Sequence, residues 1–422
     1  MKPNPKKKLK YSLDFIKWSP KNIHDSMLPI MILNWIMGLS IWEYPLGKPR
    51  PVITFIYVLL MNSLYWFLVL SAQQEVNLEN LTTIGKNIFA VIIYFNTIIA
   101  VSSIIIGWYH YKELKANIER LEQLDVALER LGLPNNYHKI FINTMIKAAM
   151  WLITIVVLVA NDIQFLLSKF DWLKSLHIMY MIHCPLHLNS VVDFTFTSLV
   201  NLLGIRFENI NLLLKRHLEK NPEPKTVRQL YPKYSRVSAL VMSTEYSDRL
   251  NEKQLEIQLL ILSRYLHMEL TNISWEVNKI YQKQMMMEMG AYLIILTGLS
   301  YYLFTILFFS IRTFHSKIAQ VINGCIWSIV YAYKLLNITS TCAKVSLESQ
   351  KTRDILYELK ILNEDKEFKE EIEQFSLQLT QRPLVFSTCG LSTLDYPFVQ
   401  RFIGSVTTYL VILIQFSPEI SE

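Results

Sequence analysis

The chain has 422 residues, 51% hydrophobic and only 18% charged, with a mean hydropathy of +0.24 and a formal net charge of +7. A soluble globular chain carries about 25% charged residues, so the deficit points to membrane before any segment is inspected. The four cysteines (Cys184, Cys325, Cys342 and Cys389) lie far apart in or beside apolar segments, with neither a disulfide framework nor zinc spacing.

In chain order, the first 25 residues hold Lys2, Lys6, Lys7, Lys8, Lys10, Lys17 and Lys21 without a continuous apolar core, so no cleavable signal peptide is expected. The next segment, SMLPIMILNWIMGLSIWEYP at 26–45, is apolar but short, and Pro29, Asn34 and Pro45 interrupt it. It reads as an interfacial or re-entrant stretch within a cytoplasmic N-terminal part, 1–50. Seven later stretches reach the roughly 20 helical residues that cross a hydrocarbon core. They are 51–71 (S1), 87–109 (S2), 141–167 (S3), 177–205 (S4), 290–311 (S5), 321–346 (S6) and 397–416 (S7). The expected fold class is an all-α membrane protein of seven transmembrane helices with helical extensions into the cytoplasm.

The connections are patterned. In YKELKANIERLEQLDVALERL, Leu114, Ile118, Leu121 and Leu128 share one helical face, and in EDKEFKEEIEQFSLQL so do Phe368, Ile372, Phe375 and Leu379. The 206–289 stretch repeats such patterns around NPEPK (221–225), the clearest linker. These helices are expected to extend S2, S4, S5 and S7 into an intracellular bundle. Of three glycosylation sequons, Asn80 lies on an outer loop too close to its neighbouring spans to be modified, Asn272 falls in the cytoplasm and Asn337 inside S6.

Polar side chains inside spans are functional candidates by default. S3 ends in Asn161, Asp162 and Gln164. S4 places Tyr180, His183, His187, Ser190, Thr197 and Asn201 on one stripe that must face protein or water. His183 and His187 have the i, i+4 spacing of zinc ligands, yet no third ligand is near, and neither metal nor other cofactor is expected. S5 offers Tyr301, Tyr302 and Thr305. S6 offers Asn323, Trp327 and Tyr331 at i, i+4 and i+8, able to face one cavity.

Direction follows from lysine and arginine. One set of connections holds 33 of them; the opposite loops hold Lys86, Lys169, Lys174, Arg312 and Lys317, only five. The positive-inside rule puts the first set in the cytoplasm, with the N-terminus inside and the C-terminus outside. A G-protein-coupled receptor, the alternative seven-helix reading, needs the reverse, and neither an Asp-Arg-Tyr after S3 nor an Asn-Pro-x-x-Tyr in S7 is present. A secondary transporter should show internal symmetry or paired broken helices, and an enzyme a catalytic constellation; neither pattern is found.

The last span carries the most specific pattern: Thr408-Tyr409, five residues of largely aliphatic character, then Gln415-Phe416. It resembles the terminal signature of insect gustatory receptors, and the lead-in CGLSTLDYPF at 389–398 is similar to that family's approach to its seventh helix. The resemblance implies a tetrameric ligand-gated cation channel. S7, within a 347–422 unit, would line the central pore, and S1–S6 (51–346) would form the ligand-binding part. It also implies a tastant as partner, homotetramers or heterotetramers with related receptors, membrane lipid around them, no nucleic acid, and the dendrites of chemosensory neurons as location.

Spacing agrees where it can: Thr408 and Gln415, seven residues apart, lie within about 20° on one helical face, with Ile412 between them. A glutamine facing lipid would leave its amide unsatisfied. Facing a pore it stays wet, and Phe416 beside it can form a constriction that closes by dewetting. The alternative is that Gln415 snorkels at the outer interface and Phe416 sits in an aromatic belt. Arg401, one turn into the helix, suits lipid phosphate better than a cation pore. Asn161, Asp162, Tyr180, His183, Tyr301, Asn323, Trp327 and Tyr331 are the candidate ligand residues, with aromatic faces, amides and one carboxylate suited to a sugar or an amphipathic tastant.

The lysine asymmetry makes a topological prediction. A tag after Glu422 should bind antibody on intact cells, whereas one before Lys2 should bind only after permeabilisation. The reverse staining would refute the orientation.

Overall fold

Apolar backbone in lipid can satisfy its N–H and C=O groups only within itself, and a helix does so residue by residue. The computed structural model describes residues 20–44, 47–75, 83–167, 170–218, 252–309 and 314–416, and these are almost wholly helical. In chain order the helices are α1 (Ile23–Ile36), α2 (Pro51–Glu75), α3 (Thr83–Tyr109), α4 (Tyr111–Arg130), α5 (Tyr137–Leu167), α6 (Trp172–Leu218), α7 (Glu252–Phe309), α8 (Phe314–Leu362), α9 (Lys366–Gln381) and α10 (Tyr396–Gln415). Seven of them, α2, α3, α5, α6, α7, α8 and α10, are long and apolar enough to cross a membrane, and each contains one of the expected spans or most of it. The NPEPK linker and the Asn80 sequon lie outside the described residues.

Helix lengths depart from expectation. At 1.5 Å per residue, α6, α7 and α8 are about 70, 87 and 74 Å long, more than twice a hydrocarbon core of about 30 Å. The extensions of S4 and S5 are thus continuous with their spans, and S6 extends as well, to Leu362, where none was expected. Its cause is visible in the sequence: neither glycine nor proline occurs between Gly324 and Pro383. The extensions beside S2 and S7 are instead separate helices. His110 interrupts α3 from α4, and a hairpin separates α9 from α10.

That hairpin pairs Ser387–Thr388 (β1) with Ser392–Thr393 (β2), antiparallel, around Cys389-Gly390. Cys389 and Gly390, in the three-residue connection that ends at Leu391, have positive φ, +53° and +75°, and the Leu391 N–H closes the turn on the Thr388 carbonyl at 3.0 Å; glycine is favoured at such positions. The Ser387 N–H donates to Asn278 Oδ1 at 3.1 Å, which docks the hairpin on α7. Asp395 then caps α10 by accepting from the Phe398 N–H at 2.8 Å, with Pro397 in the first turn, where its missing N–H costs no helical bond.

The 26–45 segment folds as α1, which at 14 residues is about 21 Å long and too short to span. Asn22 caps it, accepting from the Asp25 N–H at 2.7 Å. Asn34, which broke the apolar run, donates to Thr195 Oγ1 at 2.8 Å and ties α1 to α6. In the loop that follows, Glu43 is buried. Burial pushes its carboxyl up, but the Tyr111 hydroxyl, the Gly47 N–H, Lys115 and His24 outweigh that and hold it below the usual range.

The ends of α6, α7 and α8 that carry most of the basic residues pack with α4 and α9 into a second bundle. Arg120 of α4 bridges Glu269 and Glu276 of α7 at 2.7 and 2.8 Å, and Arg264 of α7 meets Glu371 of α9 at 2.6 Å. At the junction, Arg206 of α6 has no exposed surface and pairs with Asp125 of α4 through Nε–Oδ1 (2.9 Å) and Nη2–Oδ2 (2.6 Å). The Tyr137 hydroxyl of α5 donates to the same carboxylate at 3.0 Å. Removing one member of such a pair strands a buried charge, whereas replacing both with apolar groups removes the need for either. Asp125→Leu should therefore destabilise the detergent-solubilised protein by about 3–5 kcal/mol, and Asp125→Leu with Arg206→Met should recover most of it. A double-variant loss equal to the sum of the Asp125→Leu and Arg206→Met losses, measured by thermal unfolding, would show the pair to be uncoupled.

Candidate functional site

Six of the eight expected ligand residues converge around one carboxylate. Asp162 of α5 accepts at Oδ1 from Asn161 Nδ2 (3.0 Å), Asn323 Nδ2 (2.9 Å) and Trp327 Nε1 (3.1 Å), and its Oδ2 lies 3.0 Å from His183 Nε2. His183 Nδ1 is 3.2 Å from His187 Nε2, and the two rings stack at 5.2 Å. His183 thus stands between Asp162 and His187 in one hydrogen-bonded row. The histidines point at each other and at Asp162 rather than at a common ion.

Trp327 stacks on Tyr331 at 6.0 Å, and the Tyr331 hydroxyl accepts from Asn96 Nδ2 at 2.9 Å. Asp162, His183, Trp327 and Tyr331 are all buried. A carboxylate at this depth is tolerable because at least four donors surround it.

One expected residue falls elsewhere. Tyr180 faces α2, its ring 6.1 Å from that of Tyr65, and does not belong to the Asp162 cluster. Tyr301 is buried on α7. The polar side chains expected along S4 are not the only buried ones: α6 is buried on several faces, while Asn201 is exposed. Helical spacing placed those side chains in line, but it could not show that neighbours would surround the helix.

A second cluster was missed by the sequence reading. Asp193 Oδ2 of α6 lies 3.1 Å from Lys334 Nζ of α8 and accepts from the Tyr292 hydroxyl of α7 at 3.1 Å. Tyr292 also reaches Glu288 Oε2 at 3.4 Å, and Gln284 Nε2 donates to Glu288 Oε1 at 3.0 Å. The Lys334 ammonium is within ion-pair distance of Asp193 without hydrogen-bond alignment, and sits 5.4 Å over the Tyr292 ring. The signal was present: Asp193 and Lys334 are full charges inside S4 and S6, the pattern that marks intramembrane function. The two clusters adjoin, since Tyr331 packs on Tyr292 at 5.7 Å and Asn189, one turn before Asp193, donates to the Asn96 carbonyl at 3.1 Å.

The last helix contrasts with all of this. α10 rests on α7 and α8 and buries a single side chain, Phe402. Thr408, Tyr409, Ile412, Gln415 and Phe416 are exposed, Phe416 by 83%. Thr408 donates back to the Gly404 carbonyl at 2.9 Å and Ser405 to Arg401 at 3.0 Å. Arg401 is itself exposed, 3.9 Å from Asp395 at the helix start.

Comparison with known proteins places this arrangement. A family model described as 7tm chemosensory receptor matches residues 28–420. The Drosophila melanogaster protein named "Putative gustatory receptor 28b" is 24% identical over 309 residues, 72% of this chain and 64% of that protein. Gustatory receptor 68a of the same fly is 31% identical over 121 residues, 28% of this chain and 31% of its own. The matched stretches thus span less than two thirds of either relative. The solved insect olfactory receptor OR5 of Machilis hrabei, in complex with eugenol, superposes with a TM-score of 0.65 at 11% identity, covering 93% of this chain and 98% of that one. That likeness concerns the fold: seven membrane-crossing helices with the same course over nearly the whole length. With the family pattern extending from α1 to past the end of α10, the chain belongs to the seven-transmembrane chemosensory receptor family.

Proposed function

We propose that this multi-pass membrane protein is a gustatory receptor that works as a ligand-gated, non-selective cation channel in the dendritic plasma membrane of chemosensory neurons. The observation that carries the reading is α10. A helix at membrane depth with threonine and glutamine on one face and almost no burial is incomplete in a single subunit. Its amide in lipid would lack partners at a cost of several kcal/mol. Around a shared axis, in a homotetramer or a heterotetramer with related receptors, Thr408, Ile412 and Gln415 would instead line water.

The ligand site in this reading is the Asp162 cluster. Its hydrogen bonds are already complete, so a tastant must bring donors of its own to replace Asn323, Trp327 or His183 on the carboxylate. That favours a sugar hydroxyl or an ammonium over a purely apolar molecule. Two of the helices around this region, α7 and α8, also support α10, so a shift in either reaches the gate. The decisive experiment expresses this chain alone and tests sugars, amino acids and bitter compounds for current without G proteins.

Two substitutions test the parts. Phe416→Ala should raise current without ligand, because a ring of methyl groups is too wide to stay dry; an unchanged resting current would return Phe416 to an aromatic belt. Trp327→Ala should raise the half-maximal tastant concentration by roughly 5- to 150-fold, equivalent to about 1–3 kcal/mol. Its maximal current and surface level should hold. Loss of surface protein would make Trp327 a packing residue, and an unmoved dose–response curve would place the pocket elsewhere.

A further inference from the structure

Pro185 lies inside α6 beside the candidate ligand site, and the structure around it forms a feature that the channel reading leaves unused. Proline has no N–H to offer the carbonyl four residues before it, here Met181. The Tyr65 hydroxyl of α2 takes that place, donating to the Met181 carbonyl at 3.3 Å while Thr97 Oγ1 of α3 lies 2.9 Å away. Behind this repair α1, α2, α3 and α6 stand apart. They leave an open cleft with about 70 Å³ of room, with Ala100, Cys184, Pro185 and Leu188 on its walls. Exposed Ile36, Met61 and Val101 form the lips.

The chemistry of the walls restricts the occupant. The Tyr57 hydroxyl donates to the Ile36 carbonyl at 2.5 Å and Asn62 Nδ2 to the Val58 carbonyl at 2.9 Å. With Tyr65 engaged as described, a polar guest finds little to bond. Tyr57, Met61 and Tyr65 lie mid-way along one membrane-crossing segment, and Thr97 to Ile104 mid-way along another. The opening therefore faces hydrocarbon. It also faces away from the subunit contacts expected at α10, which rests on α7 and α8.

We propose that this cleft is a binding site for one acyl chain of a bilayer phospholipid, lodged against Pro185. Lipid gains no hydrophobic energy by moving from tails to protein. The gain is dispersion, because an unfilled cleft leaves its wall atoms without neighbours on one side. The turn of α6 that carries Cys184 and Leu188 to this cleft also carries His183 and His187 to the Asp162 cluster. A chain seated here would thus buttress this turn of α6 from the lipid side.

The test is independent of any current. Purified full-length receptor is placed in nanodiscs of phosphatidylcholine doped with a phosphatidylcholine that carries a diazirine near the end of one acyl chain. After irradiation, adducts on 57–61, 100–104 and 184–188 should exceed those on 152–157, a stretch of α5 that is more exposed to lipid than these, by about tenfold, a preference of about 1.4 kcal/mol. Met61→Trp and Val101→Trp, on opposite lips, should each return cleft adducts to the α5 level without changing the thermal midpoint; either variant serves if the other does not fold. Adducts spread evenly over the two regions in the wild-type protein, or cleft adducts that survive a well-folded lip variant, would overturn the proposal.

Discussion

A helix that must lie in an apolar medium while carrying hydrogen-bonding side chains on several faces can be stable only where protein surrounds it. α6 is that helix, and its polar residues draw in most of the chain. Thr195 takes Asn34 of α1, Asn189 takes Asn96 of α3, His183 takes Asp162 of α5, Asp193 takes Tyr292 of α7 and Lys334 of α8, and Arg206 takes Asp125 of α4. Beyond the membrane part, Asn211 donates to Glu348 and accepts from Thr352 of α8 at 2.9 and 2.6 Å. Each bond is worth little net, but each missing partner would leave a buried group at full desolvation cost. Specificity of packing follows from that asymmetry.

The same physics separates the two parts of the candidate machinery. Around Asp162 the donors of Asn161, Asn323, Trp327 and His183 already occupy the carboxylate, so the cluster is a preorganised arrangement. On α10 the polar face has found its own backbone at Thr408 and Ser405, while Gln415 remains exposed. One region is complete within a subunit, and the other is completed by neighbours in the channel reading. Pro185 adds a further contrast: its lost backbone bond is replaced by a side chain from α2, with space left beside it.

The buried charges deserve the same accounting. Asp193 and Glu288 outnumber Lys334 in a region shared by α6, α7 and α8. Tyr292 stands between the two carboxylates, donating toward both, and so links the helices beneath the ligand cluster to those that carry α10. Such a cluster is costly in apolar surroundings and fixes the register of three long helices where simple hydrophobic contact would permit sliding.

By itself the sequence determined what depends on neighbours along the chain. Seven apolar runs of sufficient length set seven crossings, because a helix satisfies its backbone within itself. The S7 span, read from 397, placed the start of α10 to within one residue, and the Thr-Tyr to Gln-Phe spacing marked its last turns. The convergence of Asn323, Trp327 and Tyr331 was legible because all three share one face of one helix. Which helix that face would meet was not, nor that Tyr180 would turn toward Tyr65, nor that Asp193 would find Lys334, 141 positions later. Those pairings depend on the rotation and depth of helices far apart in sequence. Hydrophobic periodicity is a weak guide to rotation when an apolar helix can turn its apolar face to lipid as readily as to protein. Only packing, through the need of each buried polar group for a partner, chose among the orientations.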